Sequence, residues 1–244
     1  MNLKENGFTK GKILSTSIEL FSKNGFDSTS VDEIAREAGV NKALIYYYFK
    51  SKEDLLDQIV HSLLSQATSL AMDFVHQGIV ELIKENRLDI KPDKLKFKDQ
   101  QALNQFVKNS DLYYQRLLDF VLEYKSIFRI LMLESLKHGK HHKSIFRVLD
   151  LTKDDETNPI FKIIAEADHD FSYSEEMVLF RFFFTTVPLV TFAAYYDDYK
   201  EISGLSDSRL RELFLWAFQT TFTSFISGNE IWLKQKKTAD YQTF

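Results

Sequence analysis

Apolar residues recur three and four positions apart along most of this chain, so long stretches of it read as amphipathic helix. Leu55, Leu56, Ile59, Leu63, Ala67 and Leu70 form one such stripe. Ser51 and Asp54 stand before it as a cap, and the helix can run to about His76. The period returns from about Gln100, through Leu117, Phe120, Val121 and Tyr124, then Phe128, Leu131, Met132 and Leu136. Asn158-Pro159 opens a further helix, because proline fits a first turn. Two long helices close the chain. One starts at a capping box of Ser172 and Glu175 and reaches about Tyr199, with Pro188 expected to kink it. The other is capped by Ser206 and reaches about Lys234. The polar, Lys-rich residues 84–98, with Pro92, are expected to form a loop, and residues 137–143 a basic connection. Only three prolines and eight glycines occur. No short alternating run suggests a sheet, so the expected fold is all-α.

The most informative pattern lies between Ser30 and Lys52. Ser30 followed by Glu33 is a capping box, in which hydroxyl and carboxylate each satisfy an orphan backbone N–H. Ile34, Ala38 and Val40 point inward, and Ala35 leaves room for close approach of a second helix. Gly39 stands where the first helix must stop, since glycine takes a left-handed conformation without steric cost. Asn41 then caps a second helix over residues 42–49, with Leu44, Ile45, Tyr48 and Phe49 on its apolar face. Small, Gly and apolar residues at these offsets are what a helix-turn-helix crossing needs.

From about Thr9 to Gln66 the chain resembles the TetR family of bacterial transcriptional regulators. The matching residues are Gly11 to Leu14 and Leu20-Phe21, the Asn24-Gly25-Phe26 turn, Thr29-Ser30-Val31, Ile34-Ala35, Ala38-Gly39-Val40, and Leu44 through Leu55. The chain departs from the family in its three consecutive tyrosines, 46–48, and in a second helix that begins Asn-Lys-Ala. The resemblance implies a three-helix DNA-binding head, residues 1–52, and a helical body, residues 53–244, for effector binding and dimerisation. It implies base contacts from Asn41, Lys42 and Ala43, a base or phosphate contact from Tyr47, and phosphate contacts from Tyr46, Thr29, Lys50 and Lys52, with Ser30 beside them. Lys42 can donate to guanine O6/N7, and the Ala43 methyl can touch a thymine methyl.

The last helix carries an aromatic stripe, Phe214, Phe218, Phe222 and Phe225, and a stripe of small residues, Ala217, Thr220, Thr221, Ser224 and Gly228. Both can fill one monomer's core. The resemblance favours instead a homodimer through the last two helices, bound to a palindromic double-stranded operator. It also implies repression relieved by a small apolar or aromatic ligand that shifts the fourth helix. A family-like protein without a small-molecule effector is the alternative. Eighteen of the twenty-two phenylalanines lie beyond residue 52, densest around Phe180-Arg181-Phe182-Phe183-Phe184. Aromatics at helical spacing are more often core than ligand cage, and no ligand-binding residue is assigned.

The formal net charge of −4 is uneven, with eight Lys/Arg against six Asp/Glu in residues 1–52 and twenty-three against twenty-nine beyond. A weakly basic head on an acidic body favours one docking orientation on DNA. Without cysteine, disulfides and thiolate metal sites are excluded. The N-terminus shows no apolar run of a secretory signal, which points to a cytoplasmic protein. No cofactor is expected and no enzyme. His138, His141 and His142 sit in a Lys-rich connection, Asp168-His169-Asp170 reads as a cap or turn, and no Gly-rich phosphate loop, H-E-x-x-H or G-x-S-x-G occurs. Residues 178–196 are mostly apolar, but Arg181 and Pro188 interrupt them, and a buried bundle helix is expected rather than a membrane span.

Overall fold

The computed structural model describes residues 3–91, 94–137, 141, 143–153 and 155–232. The chain gathers into two compact units. The first holds Met1–Ala67, Asp119–Val148 and Pro188–Gly204, and the second holds Thr68–Leu118, Leu149–Val187 and Leu205–Phe244. The expected head, residues 1–52, lies whole within the first.

In the first unit α1 (Leu3–Asn24), α2 (Val31–Ala38), α3 (Lys42–Tyr48) and the start of α4 (Lys52–Val75) surround one core. Ile13, Phe21, Ile34 and Leu55 are wholly buried in it, with Ile45 and Phe49 almost so. Local chemistry fixes each helix end. The Ser30 hydroxyl accepts from the Glu33 N–H at 3.1 Å, and Asn41 Oδ1 accepts from the Leu44 N–H at 2.7 Å. Gly39 takes φ +64°, and beside it the Val40 N–H reaches back to the Ala35 carbonyl at 2.9 Å, closing a Schellman turn. Helix α1 also packs on α7 (Lys125–Ser135). There the buried Glu134 carboxylate accepts from the Phe26 N–H at 3.3 Å and from Lys137 Nζ at 2.6 Å, which ties the α1–α2 turn to α7. Lys125 and Arg129 of α7 pair with Asp197 and Asp198 of α11 (Tyr196–Ser203).

The second unit is helical with a small sheet that the sequence pattern was not expected to give. The last turns of α4 pass into a π-helical segment, His76–Val80, and then α5 (Glu81–Lys84). Asn86, at φ +54°, ends α5. Most of the expected loop is therefore strand: β1 (Leu88–Lys91) and β2 (Lys94–Phe97) pair antiparallel, with Leu88 opposite Phe97 and Ile90 opposite Leu95. Alternation places Leu88, Leu95 and Phe97 in a core with Leu82, Phe106 and Ile231. Helix α6 (Gln100–Glu123) follows, then the 3₁₀ segment Ser144–Thr152 and α8 (Pro159–Ala167), which Asn158 caps.

The closing helices are also shorter than the periodicity suggests. Ser174, not Ser172, caps α9 (Glu175–Phe180), accepting from the Met177 N–H at 3.2 Å. A second π segment, Arg181–Thr186, precedes α10 (Val187–Ala194). Its last bond runs five residues, from the Val187 N–H to the Phe182 carbonyl, just before Pro188, which has no N–H to give. Ser206 caps α12 (Asp207–Thr223) as expected, but the chain then turns at Gly228, φ +59°. Ile226–Ser227 and Glu230–Trp232 form β3 and β4, completing a sheet ordered β1-β2-β4-β3. Residues 233 and 234, expected as helix, lie outside the described residues, as do His138, His142 and Pro92.

Candidate nucleic-acid interface and body cavity

Helix α3 has a buried side and an open one. Ile45 turns inward, while Asn41, Lys42, Ala43, Tyr46 and Tyr47 are exposed, the two tyrosines by 50% and 69%. This puts the first turn of the second helix of a helix-turn-helix in the open, where such units meet base edges. Tyr47 packs edge-on against Tyr48 at 5.0 Å, which limits its freedom before any partner arrives. Lys42 Nζ pairs with Asp32 at 2.8 Å, and this hydrogen bond raises the pKa of the ammonium. Asp32 therefore holds Lys42 at the helix end, and a base contact must take the ammonium from it or share it.

The remaining expected contacts divide. Lys50 is exposed, and its backbone N–H donates to Asp54 Oδ2 at 2.7 Å. Thr29 is 1% exposed, and its hydroxyl donates to the Gly25 carbonyl at 2.9 Å, so it is not available to a phosphate. Lys52 Nζ donates to the carbonyls of Phe26 and Thr29 at 2.8 and 2.9 Å and sits 4.3 Å from the Phe26 ring centroid. It fastens the start of α4 to the α1–α2 turn, a structural duty where a phosphate contact was expected. Ser30 is exposed, but its hydroxyl caps α2.

Two cations of α1 that the pattern did not single out lie beside these elements. Lys12 Nζ comes within 3.5 Å of where a Cβ on Gly39 would stand, and Lys10 Nζ lies 5.6 Å from the Phe49 ring centroid. The only sequence signal for them is positive charge on the first helix.

Within the second unit lies a cavity of about 170 Å³. For scale, an apolar cavity of about 150 Å³ can stay dry and take up benzene. Ala71, Phe74 and Val75 of α4 line it, with Ile160 and Ile164 of α8. Both π segments contribute to the wall, one through Ile79 and the other through Arg181 and Thr185. Such segments widen a helix locally and recur at functional sites. Phe74 stacks on Tyr113 at 4.7 Å, and its ring lies 3.0 Å from where a Cβ on Gly78 would stand, so glycine is what leaves the ring its place. Burial raises the pKa of the Tyr113 and Tyr114 phenols, and the Arg181 charge works against it in both. No residue of this site is assignable from sequence alone. Only the dense aromatic run around Arg181 hinted at it.

Residues 13–59 match the family model of bacterial regulatory proteins, tetR family. The chain is 31% identical over 140 residues to YttP of Bacillus subtilis, described as a probable HTH-type transcriptional regulator, across 54% of this chain and 67% of that protein. It is 43% identical over 51 residues to IcaR of Staphylococcus aureus, the negative transcriptional regulator of the biofilm operon icaADBC. That match covers 21% of this chain and 27% of IcaR, so the chain spans about a quarter of that relative. Among solved structures, a TetR-family transcriptional regulator from Haemophilus influenzae is similar over 90% of this chain and 98% of that one, at 18% identity and a TM-score of 0.46.

Proposed function

Because this chain belongs to the TetR family of bacterial regulatory proteins, we propose that its head reads an operator in double-stranded DNA while its body pairs two copies and answers to a small apolar or aromatic ligand. The protein is a transcriptional regulator and not an enzyme. The division of labour assigns residues 1–52 to DNA and residues 53–244 to pairing and ligand, in the cytoplasm, where the operator is. The observation that carries the DNA reading is the open first turn of α3, with Asn41, Lys42 and Ala43 exposed around a buried Ile45. These three face the base edges; Tyr46, Tyr47 and Lys50 flank them toward the phosphates, which position the protein without reading sequence. Two copies then set two such helices in successive major grooves, about 34–36 Å apart.

Pairing through the last helices is supported by what they leave open. Leu179, Phe183 and Phe184 are each more than half exposed around the second π segment, as is Trp216 on α12. The small residues Ala217, Thr220, Thr221 and Ser224 are exposed as well, which suits close approach of a second helix. Residues Glu175–Ala194 are long and apolar enough to cross a membrane by length and composition. We assign their open apolar face to the partner copy instead, since Arg181 lies in the middle of the run. For ligand control, the helix that starts at Lys52 supplies Ala71, Phe74 and Val75 to the cavity wall. A ligand that displaces Phe74 acts on the end of α4, changes the separation of the two heads and releases the operator. Repression is the sense assigned, in line with the negative regulator IcaR.

Selection from a random duplex pool, followed by sizing of the complex, tests this reading. The expected result is enrichment of an inverted repeat bound by two copies. No enrichment, or a single half-site bound by one copy, would overturn it.

A further inference from the structure

The cavity of the second unit is apolar in most of its wall but not in all of it. Arg181, on the π segment between α9 and α10, is half-buried and lines it. The guanidinium lies 5.9 Å from the Tyr173 ring centroid, and among the described residues no carboxylate pairs with it. A guanidinium taken partly out of water without an anion loses hydration that an aromatic face repays only in part. Ser110 and Thr185 also reach the wall, but the Ser110 hydroxyl already donates to the Phe106 carbonyl at 2.9 Å. The cavity thus offers an apolar volume of one-ring size with two cations in its lining, Arg181 and Lys91, and the Lys91 ammonium already pairs with Asp89 at 3.4 Å.

We propose that the effector is an apolar anion: one aromatic ring or a short alkyl chain carrying a carboxylate, with the tail against Phe74, Val75 and Ile160 and the carboxylate on Arg181. The two parallel N–H groups of a guanidinium match the two oxygens of a carboxylate, and the pair is strengthened by the low dielectric around it. The Tyr173 ring lies beneath the guanidinium carbon, 5.9 Å from centroid to Cζ. This inference rests on the ligand-responsive reading of the same cavity and adds the charge of the ligand to it.

The test uses a matched pair of probes, 3-phenylpropionate and 3-phenylpropanol, titrated by calorimetry into the full chain and into Arg181→Met. Methionine keeps an unbranched apolar stem at that position, and the thermal unfolding of the variant reports whether it folds. The expected result is that the wild type binds the acid at least tenfold tighter than the alcohol, while Arg181→Met loses that preference and still binds the alcohol. Equal binding of acid and alcohol by the wild type would overturn the anion assignment and leave the ligand-binding reading standing. Binding of neither probe would overturn both. A preference for the acid that survives in Arg181→Met would place the anion's partner elsewhere and overturn the role of Arg181.

Discussion

The helix-turn-helix of the first unit and the cavity region of the second are built on opposite principles. In the first, each helix end has its own local device: Ser30, Gly39, Asn41 and Ser51 each satisfy a named backbone group. The residues beneath, Ile13, Phe21 and Ile34, are shut away from water entirely. In the second, two helices open into π segments, and Phe74, Tyr113 and Phe180 stay half-buried around the cavity. A surface that must meet DNA in one geometry is overdetermined residue by residue. Under the ligand-responsive reading proposed above, incomplete packing in the second is what leaves room for a ligand.

The largest contrast should appear on truncation. Phe21→Ala is expected to cost about 3–5 kcal/mol of unfolding free energy, and Met177→Ala on the cavity wall less than about 2 kcal/mol. Urea denaturation of both variants measures this, and equal losses would erase the distinction. Next come two lysines of the same unit. Lys52→Met should destabilise by about 2 kcal/mol, because the Phe26 and Thr29 carbonyls lose a charged donor, and should leave the salt slope of DNA binding unchanged. Lys50→Ala should do the reverse, with wild-type stability and a slope shallower by about one unit.

The two glycines differ in kind. Gly39→Ala forces φ +64° on a residue with a Cβ and should lower stability by about 1–2 kcal/mol together with DNA affinity. Gly78→Ala instead presses on the Phe74 ring and should change ligand affinity more than operator affinity in the unliganded protein. The smallest effect concerns acid. The Asp54 carboxyl is held below the ordinary carboxylate range, first by the Lys50 N–H and then by Gln58. Its contribution is complete above the unfolded-state pKa and is lost as pH falls through the lowered folded-state value. Asp54→Asn should therefore flatten the acid limb of a stability–pH curve and alter little at neutral pH.

Much of the first unit was legible because its rules are short-range. A Ser at the start of α2, a Gly at its end and an Asn before α3 each act within four residues, and the structure places all three as the pattern indicates. Lys52 and Thr29 show what sequence leaves out: both sit among surface-type residues, yet their side-chain polar atoms donate to backbone carbonyls of the α1–α2 turn. The sheet was missed although its alternation is present. Leu88-Asp89-Ile90-Lys91 and Lys94-Leu95-Lys96-Phe97 have period two, but four residues of Lys-rich strand look like loop until Ile231 pairs beside Leu95. Ile226-Ser227 and Glu230-Ile231 flank Gly228-Asn229, a hairpin turn signal that the preceding helical period overrode. The cavity left no signal beyond aromatic density, because its walls come from segments more than a hundred residues apart, such as Phe74 and Arg181.

The most direct measurement is a fluorescence anisotropy titration of the full chain against the DNA flanking its own gene, at two salt concentrations, with scrambled DNA of equal length beside it. The account expects the flanking DNA to bind at least about a thousandfold tighter than the scrambled control, with both affinities falling as salt rises. Equal, salt-sensitive affinity for the two DNAs would place the operator elsewhere, and no binding of either DNA at low salt would contradict the account.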